Sequence, residues 1–127
     1  MRLIAVLVLV TAFAACTKNA KIIRRIDGTW QLTEILLNDG QQVYPNDIYV
    51  FAQGEKGGDS YATWIRYSSN YADTTYGSYL VNKKGDRLIL RQDNTNPVIA
   101  DTCTIDDMDA KMLIVRSVEG VMYLYKK

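Results

Sequence analysis

The chain reads as all-β, most simply as a small eight-stranded antiparallel up-and-down barrel. Three observations point there. From Asp27 onwards, short apolar or aromatic runs alternate with turn residues at close spacing. No stretch after Cys16 keeps a helical apolar period over about ten residues, so a long amphipathic helix is not expected. Eight such runs can be counted, enough for a ring of hairpins to close and leave no exposed edge. A two-sheet β-sandwich is the other architecture these strands allow.

The strands are predicted at residues 29–37, 48–52, 61–67, 75–82, 87–91, 98–105, 111–118 and 121–126. Asn38-Asp39-Gly40, Gly54 to Asp59, Ser68 to Asp73, Lys83 to Asp86, Asn94 to Pro97, Asp106-Asp107 and Glu119-Gly120 separate them. Gly, Asn and Asp supply the positive φ and the side-chain-to-backbone bonds that tight hairpins need. Glu119-Gly120 reads as a two-residue hairpin between the last two strands. Pro45-Asn46-Asp47 suits a single helical turn, because Pro fits a first helical position.

The first residues read as an address. Met1-Arg2 is a positive start, and Leu3 to Ala14 is apolar except for Thr11. A mature membrane span needs about 20 apolar residues to cross about 30 Å of hydrocarbon, so this run is too short. It fits the signal helix of a secretory leader, with Ala14-Ala15 as the small residues before a cut. Phe13-Ala14-Ala15-Cys16 resembles the lipobox of bacterial lipoproteins, departing from it where Phe13 replaces the usual Leu. The resemblance implies a diacylglyceryl thioether on Cys16 and an acylated amino group, palmitate being a typical chain. Two or more acyl chains hold a protein firmly to a membrane, where one does not. By the same resemblance, Thr17 where inner-membrane lipoproteins carry Asp implies the outer membrane, and the lack of an acid in residues 17–21 implies its periplasmic face. The expected organisation is a lipoprotein signal peptide over residues 1–15, a lipidated tether over 16–26 and a β-barrel domain over 27–127. Lys18, Lys21, Arg24 and Arg25 either lie against anionic headgroups, at about 1 kcal/mol each when close, or belong to a solvated tether.

Composition narrows the function classes. The chain has 15 Lys plus Arg against 14 Asp plus Glu, and loss of Arg2 with the leader leaves fourteen of each. A neutral domain lacks the electrostatic footprint of a nucleic-acid binder. With no histidine, Cys–His and Ser–His–Asp catalysis and every His-containing metal site are excluded. Cys16 and Cys103 are too few for a disulfide scaffold.

Alternation along the strands gives a provisional inside. Tyr79 shares a face with Val81, Leu88 with Leu90, Cys103 with Ile105, and Leu113 with Val115. Residues 48–52 and 112–115 are apolar on both faces, so parity there decides nothing. Tyr61, Trp64, Tyr67, Tyr71, Tyr76 and Tyr79 cluster in sequence, yet Trp64 opposes Tyr61 and Tyr67, so the rings cannot line one surface. Glu34 shares parity with Trp30 and Leu32. It points inward as an anchor or, with a bulge, lies at the rim; an unpaired inward charge would be costly. Cys103 has no base beside it and reads as buried packing. Asp106, Asp107 and Asp109 lack an EF-hand pattern and read as a solvated turn. Gly54-Glu55-Lys56-Gly57-Gly58 lacks the Gly-Lys-Ser/Thr of a phosphate loop. No cofactor motif is present, and no enzyme activity is expected.

Gly28-x-Trp30 at the start of an eight-stranded, hairpin-connected domain resembles the first motif of lipocalins. Together with the lipobox, Gly77-x-Tyr79 and the terminal Gly-Val hairpin, it resembles small bacterial lipoproteins with a lipocalin-like domain. The domain is shorter than a typical lipocalin and shows neither a second lipocalin motif nor a long C-terminal helix. The resemblance implies that Trp30 closes the base of the barrel and that Arg116 packs across it. A guanidinium over an indole contributes about 0.5–2 kcal/mol. A modest cavity walled by Trp30, Leu32, Tyr79, Val81, Leu88 and Leu90 would then bind a small apolar or amphipathic molecule, at a volume of about 300 Å³ or more. The alternative is a filled barrel that serves as a non-catalytic structural or interaction module of the envelope. Protein partners are unknown.

Overall fold

The computed structural model describes residues 18–54, 61–69, 73–93 and 97–127. The leader, Cys16, Thr17, Tyr71 and parts of the loops after Gly54 and before Pro97 lie outside the described residues. The strands are β1 (Gly28–Leu37), β2 (Gln42–Val43), β3 (Asp47–Phe51), β4 (Ala62–Tyr67), β5 (Thr74–Val81), β6 (Arg87–Gln92), β7 (Ile99–Met108), β8 (Met112–Arg116) and β9 (Gly120–Lys126). From β3 to β9 each strand pairs antiparallel with the next, β1 pairs with β3, and β1 also pairs with β9. The eight long strands therefore form a closed antiparallel barrel, as expected for an all-β meander. Closure leaves none of the eight as an open edge.

β2 was not expected. It pairs with the end of β1, Ile35 to Val43, while β3 pairs with the start, Leu32 to Asp47. β2 and β3 are thus one partner of β1, broken at Tyr44–Asn46. Pro45 cannot donate to a ladder, and Asn46 sits at φ 57°. That left-handed residue stands where a helical turn was expected. Two register irregularities interrupt the wall. β1 carries an extra residue between Leu32 and Glu34 against β9, and β7 carries one between Ile105 and Asp107 against β8. The first turns Glu34 away from the core, where Gln42 Nε2 donates to its Oε1 at 3.0 Å. Ile35 takes the inward place.

Residues 18–26 are helical, which corrects the expectation of a solvated tether over this span. Asn19, Ile22, Ile23 and Ile26 are all buried, and their spacing puts them on one face. Lys18, Lys21 and Arg24 are exposed on the other. The helix lies across the barrel end that holds the start of β1 and the end of β9. Asn19 Nδ2 donates to Val81 O at 3.2 Å and Asn82 O at 2.7 Å, fixing it to the β5–β6 turn. We call this end the base and the opposite end the mouth. Residues 18–127 include every described element, and each long strand and the helix finds its partners within that span.

The β8–β9 turn is one residue earlier than expected. Ser117 N donates to Gly120 O at 2.8 Å, so Val118 and Glu119 form the loop. Gly120 has φ 155°, and a Cβ there would lie 2.1 Å from Leu36 O of the neighbouring β1. Only glycine allows that approach.

Candidate functional site

Sixteen buried hydrophobic residues from the helix and the strands form one core. Trp30, Leu32, Tyr79, Val81, Leu88 and Leu90 all belong to it, so these six predicted positions share the barrel interior. Leu90 is 9% exposed and the other five are at most 2%. Side chains so enclosed touch protein on every side. Aromatic rings occupy the axis: Tyr49 stacks on Phe51 at 5.8 Å and on Trp64 at 5.7 Å, and Phe51 meets Tyr79 edge-on at 5.2 Å.

Arg116 does not reach Trp30, which corrects that expectation. It lies at the far end of β8 from the base, exposed on the outer face, and its Nη2 pairs with Asp106 Oδ2 at 2.9 Å. Strand parity explains this: Leu113 and Val115 point inward, so Arg116 points out. Lys126 takes the place instead, with Nζ 5.2 Å from the Trp30 ring centroid.

Trp30 and Lys126 organise the base. A helix ends with carbonyls that lack an intrahelical donor. Trp30 Nε1 donates to Ile26 O at 2.8 Å, and Lys126 Nζ donates to Arg25 O at 2.9 Å and Asp27 O at 2.7 Å. An ammonium at a helix C-terminus also opposes the negative end of its dipole. Gly28 stands between, at φ 122°, and a Cβ there would crowd Lys126 Cε at 3.1 Å. The Gly28-x-Trp30 pattern thus has a local cause: the glycine turns the chain from helix into β1, and the indole caps the helix just left.

The mouth carries inward polar groups that sequence reasoning missed. Asp47, at 8% exposure, accepts from Arg66 Nε at 2.8 Å, from Arg66 Nη2 and from Ser69 N at 3.2 Å. The Arg66 guanidinium also lies over the Tyr49 ring, 5.3 Å from its centroid. Burial pushes the Tyr49 phenol above its ordinary value. The alternation of Asp47, Tyr49 and Phe51 was available in the sequence, but the apolar residues between them hid which face was inward. Deeper in, burial first and Asp101 second push the Cys103 thiol up to about 12, so it stays neutral. Trp64 and Tyr79 lie inside, whereas Tyr61 and Tyr76 are exposed outside, as parity requires. Trp64 Nε1 donates to Ser78 O and Arg91 O, both at 3.1 Å, crossing the strand at Gly77.

Asp109 is committed to its turn, where Oδ1 accepts from Lys111 N at 2.7 Å and Met112 N at 2.8 Å. Among the described residues no group of three or more His, Cys, Asp or Glu side chains is placed to hold a metal ion. Among them, too, no helix is long and apolar enough to cross a membrane. Compared with protein-family models, curated proteins and solved structures, the chain matches none.

Proposed function

We propose that this chain is a cell-envelope lipoprotein whose closed barrel is a non-catalytic interaction module, held at the membrane by acyl chains on Cys16. The observation that carries this reading is the packed interior. Function in such a barrel belongs to its surface and to its anchorage. The interior-ligand reading asks Trp30, Leu32, Tyr79, Val81 and Leu88 to part from partners that now enclose them. The anchor reading draws on the leader, on Ala14-Ala15-Cys16 and on the short distance in sequence from Cys16 to the helix at the base.

Two measurements test the proposal. Intact mass of the protein purified from its own envelope should show a chain that starts at Cys16 with added acyl mass, and Cys16→Ala should move the protein to the soluble fraction. Retention of Met1, or continued pelleting of Cys16→Ala with membranes, would overturn the anchor. Native mass spectrometry of the same material should show no retained small molecule. A stoichiometric apolar ligand would restore the cavity reading.

A further inference from the structure

Charge is sorted along the barrel axis. All the lysines among the described residues lie at the base. Lys18 and Lys21 occupy the exposed face of the helix, beside Arg24. Lys83 and Lys84 sit in the β5–β6 turn, which the helix touches: a Cβ on Gly85 would meet Lys18 Cγ at 3.1 Å. Lys111 lies in the β7–β8 turn, where Lys126 N donates to Lys111 O at 2.8 Å. Among the described residues the acids of this end are fewer. Among them Asp86 is bound by Asn82 Nδ2 at 2.6 Å, and Asp109 holds its own turn. The mouth is the reverse. Its turns carry Asp39, Asp73, Asp93 and Glu119, all exposed. Its Arg66 and Arg116 are already paired, with Asp47 and Asp106. A chain that is almost neutral as a whole therefore presents a cationic disc at one end and an anionic rim at the other.

We propose that the base is a docking face for anionic phospholipid headgroups, on which the barrel stands with its mouth directed away from the bilayer. The cations come from four separate segments of chain, the helix, two turns and the end of β9, and converge on one face. A surface of one sign next to an anionic leaflet gains from each lysine that comes within a Debye length of it. This orientation rests on the membrane-anchored reading above, because Cys16 precedes the helix that covers this same end. The docking face itself is a property of the folded barrel and needs no acyl chain.

The test uses residues 17–127, which contain every described element and lack the acylation site. Binding is read by co-sedimentation with vesicles of phosphatidylcholine alone and of phosphatidylcholine mixed with phosphatidylglycerol. We expect partitioning about tenfold stronger onto the anionic vesicles, weakening as salt is raised. Lys21→Glu/Lys84→Glu/Lys111→Glu should abolish the difference while circular dichroism stays that of the parent. Asp73→Asn/Glu119→Gln raises the net charge at the mouth and should change partitioning by less than about twofold. Equal binding to both vesicles, unchanged binding of the triple variant, or a strong gain in the mouth variant would overturn the proposal. Tighter binding to soluble dextran sulfate than to the vesicles would also overturn it. Acyl mass on Cys16 without vesicle preference removes the docking face alone. Vesicle preference without acyl mass removes the anchor alone.

Discussion

At the scale of single residues, Trp30 and Lys126 join the helix, the first strand and the last strand in one contact. Trp30→Ala removes a fully buried indole and one carbonyl cap, and should cost about 3–5 kcal/mol in urea unfolding. A loss below about 1 kcal/mol would contradict this role. Lys126→Met keeps the stem but leaves the carbonyls of Arg25 and Asp27 without a donor, so a smaller loss of about 1–3 kcal/mol is expected. Cys103 and Tyr79 set an alkaline limit. Burial raises both pKa values to about 12, from ordinary values of 9.0 and 10.0. Both groups are neutral when protonated, and folding holds them so. Their contribution is complete below the unfolded pKa and disappears as pH rises through the folded one. Urea midpoints should therefore fall between about pH 9 and 12. Cys103→Val should flatten the lower part of that fall. Much of this was legible beforehand, since alternation put Tyr79 with Val81 and Leu88 with Leu90 on shared faces, and the Gly28-x-Trp30 resemblance put Trp30 at the base. The cation over Trp30 was not. Arg116 matched a borrowed pattern, whereas Lys126 is set by the β1–β9 register, which pairs it directly with Trp30.

At the scale of elements, the hairpins were readable and the helix was not. Asn19 stands in the apolar stripe of residues 18–26, and the lysines around it look like a solvated linker. Only the barrel end supplies the carbonyls that make an inward Asn favourable. β2 escaped notice for a related reason: two residues carry no period, and β1 lends them a partner. Gly77 shows what packing adds to a motif. A Cβ there would stand 1.6 Å from Arg91 O and 3.1 Å from Trp64 Nε1. Gly77→Ala should force β5 and β6 apart and destabilise the barrel by more than about 3 kcal/mol, whereas Gly40→Ala meets open space and should cost only the backbone strain of its φ of 88°, about 1 kcal/mol, in the same melts. Ile26→Asp, at a position with no exposure, should free the helix from the base. Rapid amide exchange confined to residues 18–26 would report that release. Unchanged protection there would show that the helix does not depend on its buried face.

At the scale of the molecule, each strand from β3 onward pairs with the next one in sequence, and one strand pairing joins the two ends of the barrel's chain. That contact is β1 against β9, with Trp30 opposite Lys126 and Leu37 opposite Gly120. A ring of this kind unfolds as one body once its seam parts, so urea transitions followed by tryptophan fluorescence and by circular dichroism should coincide. An earlier fluorescence transition would separate the base from the walls.

The seam has a further consequence for how such a chain comes into being. The lysine that secures the helix is supplied by β9, 99 residues after the Asp27 carbonyl it holds. A polypeptide made in N-to-C order has its lid before it has the latch. Until β9 arrives, β1 keeps an unclaimed border and the leading helix lacks its final clasp. Closure of the ring therefore waits for the last ribbon to be made.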